Sequence, residues 1–219
     1  MNQGVVVIIP AYNEERTIGS VVSAAVACTD VSYVLVVSDA STDTTVARAT
    51  EAGARVLVLP KQSGKGAALR AGLAHSHEPV VVFLDGDLYG LTSDHVSHLL
   101  TPVLSGDVSM CIGLRDRGSF WNRIACRLPL VGGERALVRT VFEEIPAHLT
   151  HHFMVEIALN FSCRSRQLAY RWILLHGVKI RTKVQKVGLV RALPQYIRMW
   201  AQVAWAYLLL WKTYRLCRF

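Results

Sequence analysis

Three short acidic segments carry the residues best suited to chemistry. Pro10-Ala11-Tyr12-Asn13-Glu14-Glu15, Ser38-Asp39-Ala40-Ser41-Thr42-Asp43 and Asp85-Gly86-Asp87 each follow a run of β-branched and apolar residues. Two carboxylates separated by one glycine suit a hard divalent cation. The tight turn lets at least one carboxylate reach the metal, and diphosphate oxygens complete the shell. One metal bridging two phosphate oxygens also stabilises a departing nucleoside diphosphate. The same tripeptide occurs in ordinary turns, and its place after an apolar strand favours the metal site. Other signatures are missing. Gly64-Lys65 resembles the end of a phosphate-binding loop, but that motif needs a glycine where Leu59 sits, and no GxGxxG follows the first apolar run. No HExxH or Ser/His/Asp set appears, and His151-His152 reads as an exposed or satisfied pair rather than as ligands.

The elements that would hold these segments alternate. Strands are expected at Val5–Ile9, Tyr33–Val37, Arg55–Leu59, Val80–Leu84 and Val108–Ile112. Between them helices are expected at Glu14–Cys28, from the Ser41-Thr42-Asp43 cap to about Ala52, at Lys65–Ser76 and at Thr92–Leu104. The alternation implies a mostly parallel sheet covered on both faces. Ligands of such sheets bind beyond the carboxyl ends of the strands, where all three acidic segments fall. After Leu114 the pattern weakens. Gly118–Leu128, Ala136–Glu144 and His151–Gln167 read as helices, Lys179–Val187 as a strand, and Pro194 as the start of a long last helix. The fold class is α/β, a single domain with a mostly parallel central sheet sandwiched by helices, plus a C-terminal amphipathic helix.

Charge divides the chain. Residues 1–114 hold 6 basic and 11 acidic side chains, net −5, whereas residues 115–219 hold 18 and 5, net +13. With 52% hydrophobic and 18% charged residues the chain is not disordered. The basic half suits a polyanion: nucleic acid, phosphate groups or an anionic membrane surface. The five cysteines are scattered without a CxxC, which fits free thiols in a reducing compartment. Met1-Asn2-Gln3-Gly4 has no cationic region and reads as no signal peptide. Trp200–Trp211 is apolar but far shorter than the ~20 residues needed to span a bilayer.

Four segments together resemble glycosyltransferase family 2, with the GT-A fold. Val5-Val6-Val7-Ile8-Ile9-Pro10-Ala11-Tyr12-Asn13-Glu14-Glu15 is similar to the family's opening strand and loop. Val36-Val37-Ser38-Asp39-Ala40-Ser41-Thr42-Asp43-Thr44-Thr45 resembles its "VDDGSTDGT" segment, with Ser38 in place of the first Asp and Ala40 and Thr44 in place of glycines. Gly64-Lys65-Gly66-Ala67-Ala68-Leu69 resembles "NKGKGAAL", and Phe83-Leu84-Asp85-Gly86-Asp87 resembles the DxD metal motif. The resemblance implies a nucleotide-sugar-binding half over 1–114, an acceptor-binding half over 115–188 and a basic, aromatic C-terminal helix over 189–219. It implies that Pro10, Ala11, Tyr12 and Glu14 line the base and ribose pocket, that Asp39 accepts a hydrogen bond from base or ribose, and that Lys65 sits near the base or diphosphate. Asp85 and Gly86 would contact ribose or sugar, and Asp87, with Asp85, would hold Mg²⁺ or Mn²⁺.

On the acceptor side, family 2 enzymes invert the anomeric centre in one displacement. A hydroxyl acceptor needs a carboxylate base, whereas a phosphate acceptor needs only positive charge to hold it. Gly132-Gly133-Glu134-Arg135-Ala136 lies where polyprenyl-phosphate sugar synthases carry an "SGFRA"-like segment, so Arg135 becomes a candidate phosphate ligand. Glu134 is the leading base for a hydroxyl acceptor, or else a helix N-terminal acid, and Glu156 matches an acid facing the site. Arg115 and Arg117 could reach the diphosphate. As a helix, the C-terminal segment places Leu193, Tyr196, Ile197, Trp200, Val203, Tyr207 and Trp211 on one apolar stripe flanked by arginines and lysines. Such a stripe lies in a lipid interface, packs on the domain or joins a homodimer. The leading expectation is an inverting, metal-dependent hexosyltransferase at the cytoplasmic membrane face, attached peripherally, with a polyprenyl phosphate acceptor. The alternatives are a soluble transferase acting on a small phosphorylated hydroxyl acceptor such as a glycerate, and, behind both, a basic nucleic-acid-binding protein.

Overall fold

The structure is a computed structural model that describes residues 4–115, 132–146, 149 and 154–180. The Gly118–Leu128 helix, Arg117, His151-His152 and the 189–219 helix lie outside the described residues.

Nine strands and six helices are described: β1 (Val5–Ala11), α1 (Ile18–Val26), β2 (Tyr33–Ser38), α2 (Thr45–Glu51), β3 (Arg55–Val58), α3 (Lys65–Ala74), β4 (Val80–Phe83), β5 (Leu88–Tyr89), α4 (Ser93–Leu104), β6 (Met110–Arg115), β7 (Glu134–Val138), α5 (Arg139–Glu143), α6 (Met154–Ser165), β8 (Tyr170–Leu175) and β9 (Lys179–Ile180). Seven strands form one sheet in the order β3-β2-β1-β4-β7-β6-β8, and β5 pairs with β9 in a separate ribbon. The sheet is parallel except around β7, which runs antiparallel to both β4 and β6. The two sequence halves therefore share one sheet.

The β-branched run of β1 explains its central place. Val5, Val7 and Ile9 enter a core with α1, α2 and α4, while Val6 and Ile8 enter a second core with α3, α5 and α6. A strand buried on both faces has no room for polar alternation. Among the described residues no helix is long and apolar enough to cross a membrane.

One expectation needs correction. Ala136–Glu144 is not one helix: Glu134–Val138 is a strand, and only Arg139–Glu143 is helical. A five-residue strand buried on both faces reads as a helix segment when its pairing partners are unknown. Tyr170–Leu175 was not anticipated as a strand. It sits at the sheet edge beside β6, where Trp172 remains 41% exposed.

Candidate active site

The strand-end loops are stitched to one another. The Asn13 and Glu14 amides donate to Ser41 Oγ (3.2 Å) and Thr45 Oγ1 (2.8 Å), and Thr42 N donates to Asn13 Oδ1 (2.8 Å). Asp43 accepts from Thr45 N (3.0 Å) and Glu15 N (3.2 Å). Burial alone would raise the Asp43 carboxyl, but the hydrogen bonds from Thr45 and Glu15 outweigh it and hold it below its ordinary value. Pro10 and Ala11 pack against the turn at Gly86, while Tyr12 is 43% exposed.

Ala40 lies in the left-handed region, with φ 60°. Glycine occupies that place in the family segment, and a Cβ there costs roughly 1–2 kcal/mol. Ala40→Gly should therefore stabilise the protein by about 1 kcal/mol after the extra unfolded-chain entropy of glycine is deducted. Urea denaturation at neutral pH measures it, and an unchanged or lower midpoint contradicts the strain.

Asp39 is 4% exposed and accepts from the Ser63 and Gly64 amides, both at 2.7 Å. It thereby holds the turn that starts α3. Gly64 has φ 88°, a conformation glycine adopts without a Cβ penalty, and the chain leaves it with Lys65 aimed at the strand ends. Lys65 Nζ lies 2.6 Å from Asp85 Oδ1 and 2.8 Å from Glu156 Oε1. Burial alone would favour loss of its proton, but the two carboxylates dominate and raise its pKa above the ordinary lysine value. Three distant segments, after β4, at the start of α3 and in the first turn of α6, thus meet at one ammonium group.

The Asp85-Gly86-Asp87 turn is clamped from beneath. Buried Thr17 donates its hydroxyl to Gly86 O at 2.7 Å. From above, the antiparallel register that pairs Phe83 with Arg135 continues so that Gly133 falls on Asp85. A Cβ on Gly133 would overlap the Asp85 carboxylate. Sequence reasoning missed both Thr17 and Gly133. A threonine before a helix and the second glycine of a pair were their signals, but only the folded chain says what they touch. Asp87 is half-buried. No group of three or more His, Cys, Asp or Glu is assembled among the described residues. The donor set is the hard-oxygen pair Asp85 and Asp87, which suits Mg²⁺ or Mn²⁺ only with nucleotide oxygens completing the shell.

Glu134 and Arg135 part company because successive strand residues face opposite sides of the sheet. Arg135 is 1% exposed and donates to Gly132 O and Asn160 Oδ1, both at 2.8 Å. The guanidinium expected to hold a phosphate braces β7 against α6 here. Glu134 is fully buried, 3.5 Å from Arg115 Nη1. Burial, with the neighbouring Asp85 charge adding to it, pushes the Glu134 carboxyl up to about 7, against the opposing pull of Arg115 and Lys65. Arg115 is turned to Glu134, and Glu134 is a strand residue, not a helix N-terminal acid.

That raised value has a consequence for stability. Between the ordinary glutamate pKa and about 7 the folded state binds more protons than the unfolded one, so stability should fall as pH rises through that window. Urea midpoints at pH 5 and pH 7.5 should show this fall in the wild type and less of it in Glu134→Gln. Equal slopes in the two proteins would contradict it.

Residues 6–152 match the sequence profile of Glycosyl transferase family 2. The chain belongs to that family. Glucosyl-3-phosphoglycerate synthase of Mycolicibacterium paratuberculosis is 40% identical over 126 residues, which are 53% of this chain and 37% of that protein. The matched stretch is thus little more than a third of the relative's own length. Two solved structures of glucosyl-3-phosphoglycerate synthase from Mycobacterium tuberculosis, each 29% identical and covering 83% of this chain and 72% of theirs, superpose with TM-scores of 0.73 and 0.72. The first is a complex with Mg²⁺ and uridine diphosphate, the second with Mn²⁺, uridine-diphosphate-glucose and phosphoglyceric acid. Over the described residues, the mostly parallel sheet flanked by helices is the architecture expected from the GT-A resemblance.

Proposed function

We propose that this chain is an inverting glycosyltransferase that moves a hexose from a nucleoside-diphosphate sugar to a small phosphorylated hydroxyl acceptor of the glycerate type, with Mg²⁺ or Mn²⁺ as cofactor. The observation that carries the reading is the convergence of Asp85, Lys65 and Glu156 beneath Gly133 at the carboxyl end of β4. The acceptor in the neighbouring complex, phosphoglyceric acid, supports a small acceptor. The order of preference between the two acceptors is thereby reversed. The membrane contact and the homodimer rest on 189–219, outside the described residues, and form no part of this reading.

In this reading the exposed Tyr12 face receives the base, with Pro10, Ala11 and Glu14 around it. Asp39 shapes the same pocket by holding the Ser63-Gly64 turn. Asp85 and Gly86 contact ribose or sugar, and Asp87 is the principal metal ligand. The metal, when bound, supplies the positive charge that stabilises the departing diphosphate. Lys65 turns toward the diphosphate as the donor enters. That frees Glu156, which is 6% exposed and at the edge of the site, to take the proton of the acceptor hydroxyl. Glu134, the other base candidate, is fully buried, so Glu156 is preferred to it.

The test offers UDP-glucose with either 3-phosphoglycerate or polyprenyl phosphate in vesicles, with Mn²⁺ or with excess chelator. Metal-dependent glucosylation of the phosphoglycerate is expected. Product on the lipid alone restores the polyprenyl reading, and no product across a panel of nucleotide-sugars removes the transferase reading.

A further inference from the structure

Thr17 is the N-cap residue of α1, where a threonine hydroxyl ordinarily accepts a hydrogen bond from an amide of the helix's first turn. Here it makes no such bond. The side chain is 2% exposed, and its hydroxyl donates instead to Gly86 O at 2.7 Å, across 69 residues. Its contact with Glu14 O, at 3.4 Å, is much the longer of the two. The main chain of Thr17 is itself fixed. Its amide donates to Glu14 O, and its carbonyl accepts from Val21 N and Ser20 Oγ. Ile18, the next residue, is fully buried in the core with Val21 and Val22. The hydroxyl is thus diverted from its own helix to the Asp85-Gly86-Asp87 turn and held there on a rigid base.

What the hydroxyl fixes is a peptide plane. Gly86 O and Asp87 N belong to one planar amide, so holding that carbonyl also sets the direction in which Asp87 leaves the turn. Gly86 supplies little of this restraint. It is buried against the loop after β1, where an added Cβ would lie 3.3 Å from Pro10 O, tighter than ordinary contact. The close approach requires a glycine, and a glycine leaves its peptide freer to rotate than any other residue would. A grip from outside the turn offsets that freedom. Asp85 is held in a different way, by its carboxylate on Lys65. We propose that Thr17 is a positioning residue for the divalent metal: by gripping the Gly86 carbonyl it fixes the backbone from which the Asp87 carboxylate projects, and with it the affinity for the ion. This rests on the metal role given to Asp87 above. Contacts that orient a metal ligand without touching the metal commonly carry a tenfold or larger share of the affinity.

The experiment titrates Mn²⁺ into the wild type, Thr17→Val and Thr17→Ser, each in the presence of UDP, and reads bound metal from the loss of the free Mn²⁺ paramagnetic resonance signal. Valine keeps the shape of threonine and removes the donor, whereas serine keeps the donor. The Mn²⁺ Kd should rise about tenfold in Thr17→Val and stay within about twofold of the wild type in Thr17→Ser. Thr17→Ala carries the same expectation as Thr17→Val and replaces it should that variant not fold. A thermal melt of each protein accompanies the titration, because loss of a buried hydrogen bond lowers stability whatever its role. A lower melting temperature in Thr17→Val with an unchanged Mn²⁺ Kd overturns the proposal and leaves a structural hydrogen bond. Equal weakening in the Val and Ser variants overturns it as well, since the hydroxyl would not be the cause. A wild type that binds no Mn²⁺ in the presence of UDP or of any other nucleoside diphosphate overturns the metal role of Asp87 and this proposal with it.

Discussion

Asp87→Ala should abolish sugar transfer while leaving the fold intact. Asp87 stands in a turn fixed from below by the Thr17 hydroxyl on Gly86 O and flanked by Asp85, whose carboxylate is tied to Lys65. With no third acidic, His or Cys ligand assembled among the described residues, the loss of one carboxylate leaves a single protein ligand for a divalent ion. A metal at a departing diphosphate contributes several kcal/mol to the transition state, so kcat should fall by about 10³-fold or more. Turnover of UDP-glucose with 3-phosphoglycerate measures it, and circular dichroism with a thermal melt checks the fold. Full activity in the variant, or in wild type with excess chelator, would end the metal role of this residue.

Lys65→Met should cost both activity and stability. Removing the ammonium leaves Asp85 and Glu156 facing the same space with no cation between them. Removing one member of a buried ion pair costs about 3–5 kcal/mol. Lys65 and Asp85 are each about a fifth exposed, so about 2–3 kcal/mol is expected once solvent screening is allowed for. The charge of Lys65 is not the variable in ordinary buffers. Its folded pKa is raised, so its contribution is complete below the unfolded lysine value near 10.4 and is lost only as pH climbs through the higher folded one. The double variant Lys65→Met/Glu156→Gln removes one of the stranded charges and should recover part of the stability but none of the activity. A single variant as stable and active as the wild type would show that the three-way contact has no role.

The parts of the site that were legible in the sequence are those in which a local motif and an element boundary coincide. Asp85-Gly86-Asp87 follows a short apolar strand, and Gly64-Lys65 opens a helix, so residue type and position could be read together. Ala40 was visible as a substitution for glycine, and its positive φ gives that difference a physical cost. Asp39 was placed at the right strand end, but its carboxylate is occupied by the Ser63 and Gly64 amides, a contact across 24 and 25 residues. Arg135 and Glu134 were adjacent in the chain and were given related tasks, whereas a strand turns neighbours to opposite faces. Reading Ala136–Glu144 as a helix concealed that alternation.

The sequence alone therefore determined the α/β order, the strand-end acidic loops and the family, because each depends on hydrophobic period and on motifs a few residues long. Only the tertiary structure decided which of those side chains meet. Lys65 and Glu156 are 91 residues apart, yet they share a contact with Asp85. Gly133 falls on Asp85 only because β7 enters the sheet antiparallel between β4 and β6. Pairing and register are set by which apolar faces bury against which helices, a property of the whole chain and not of any window within it.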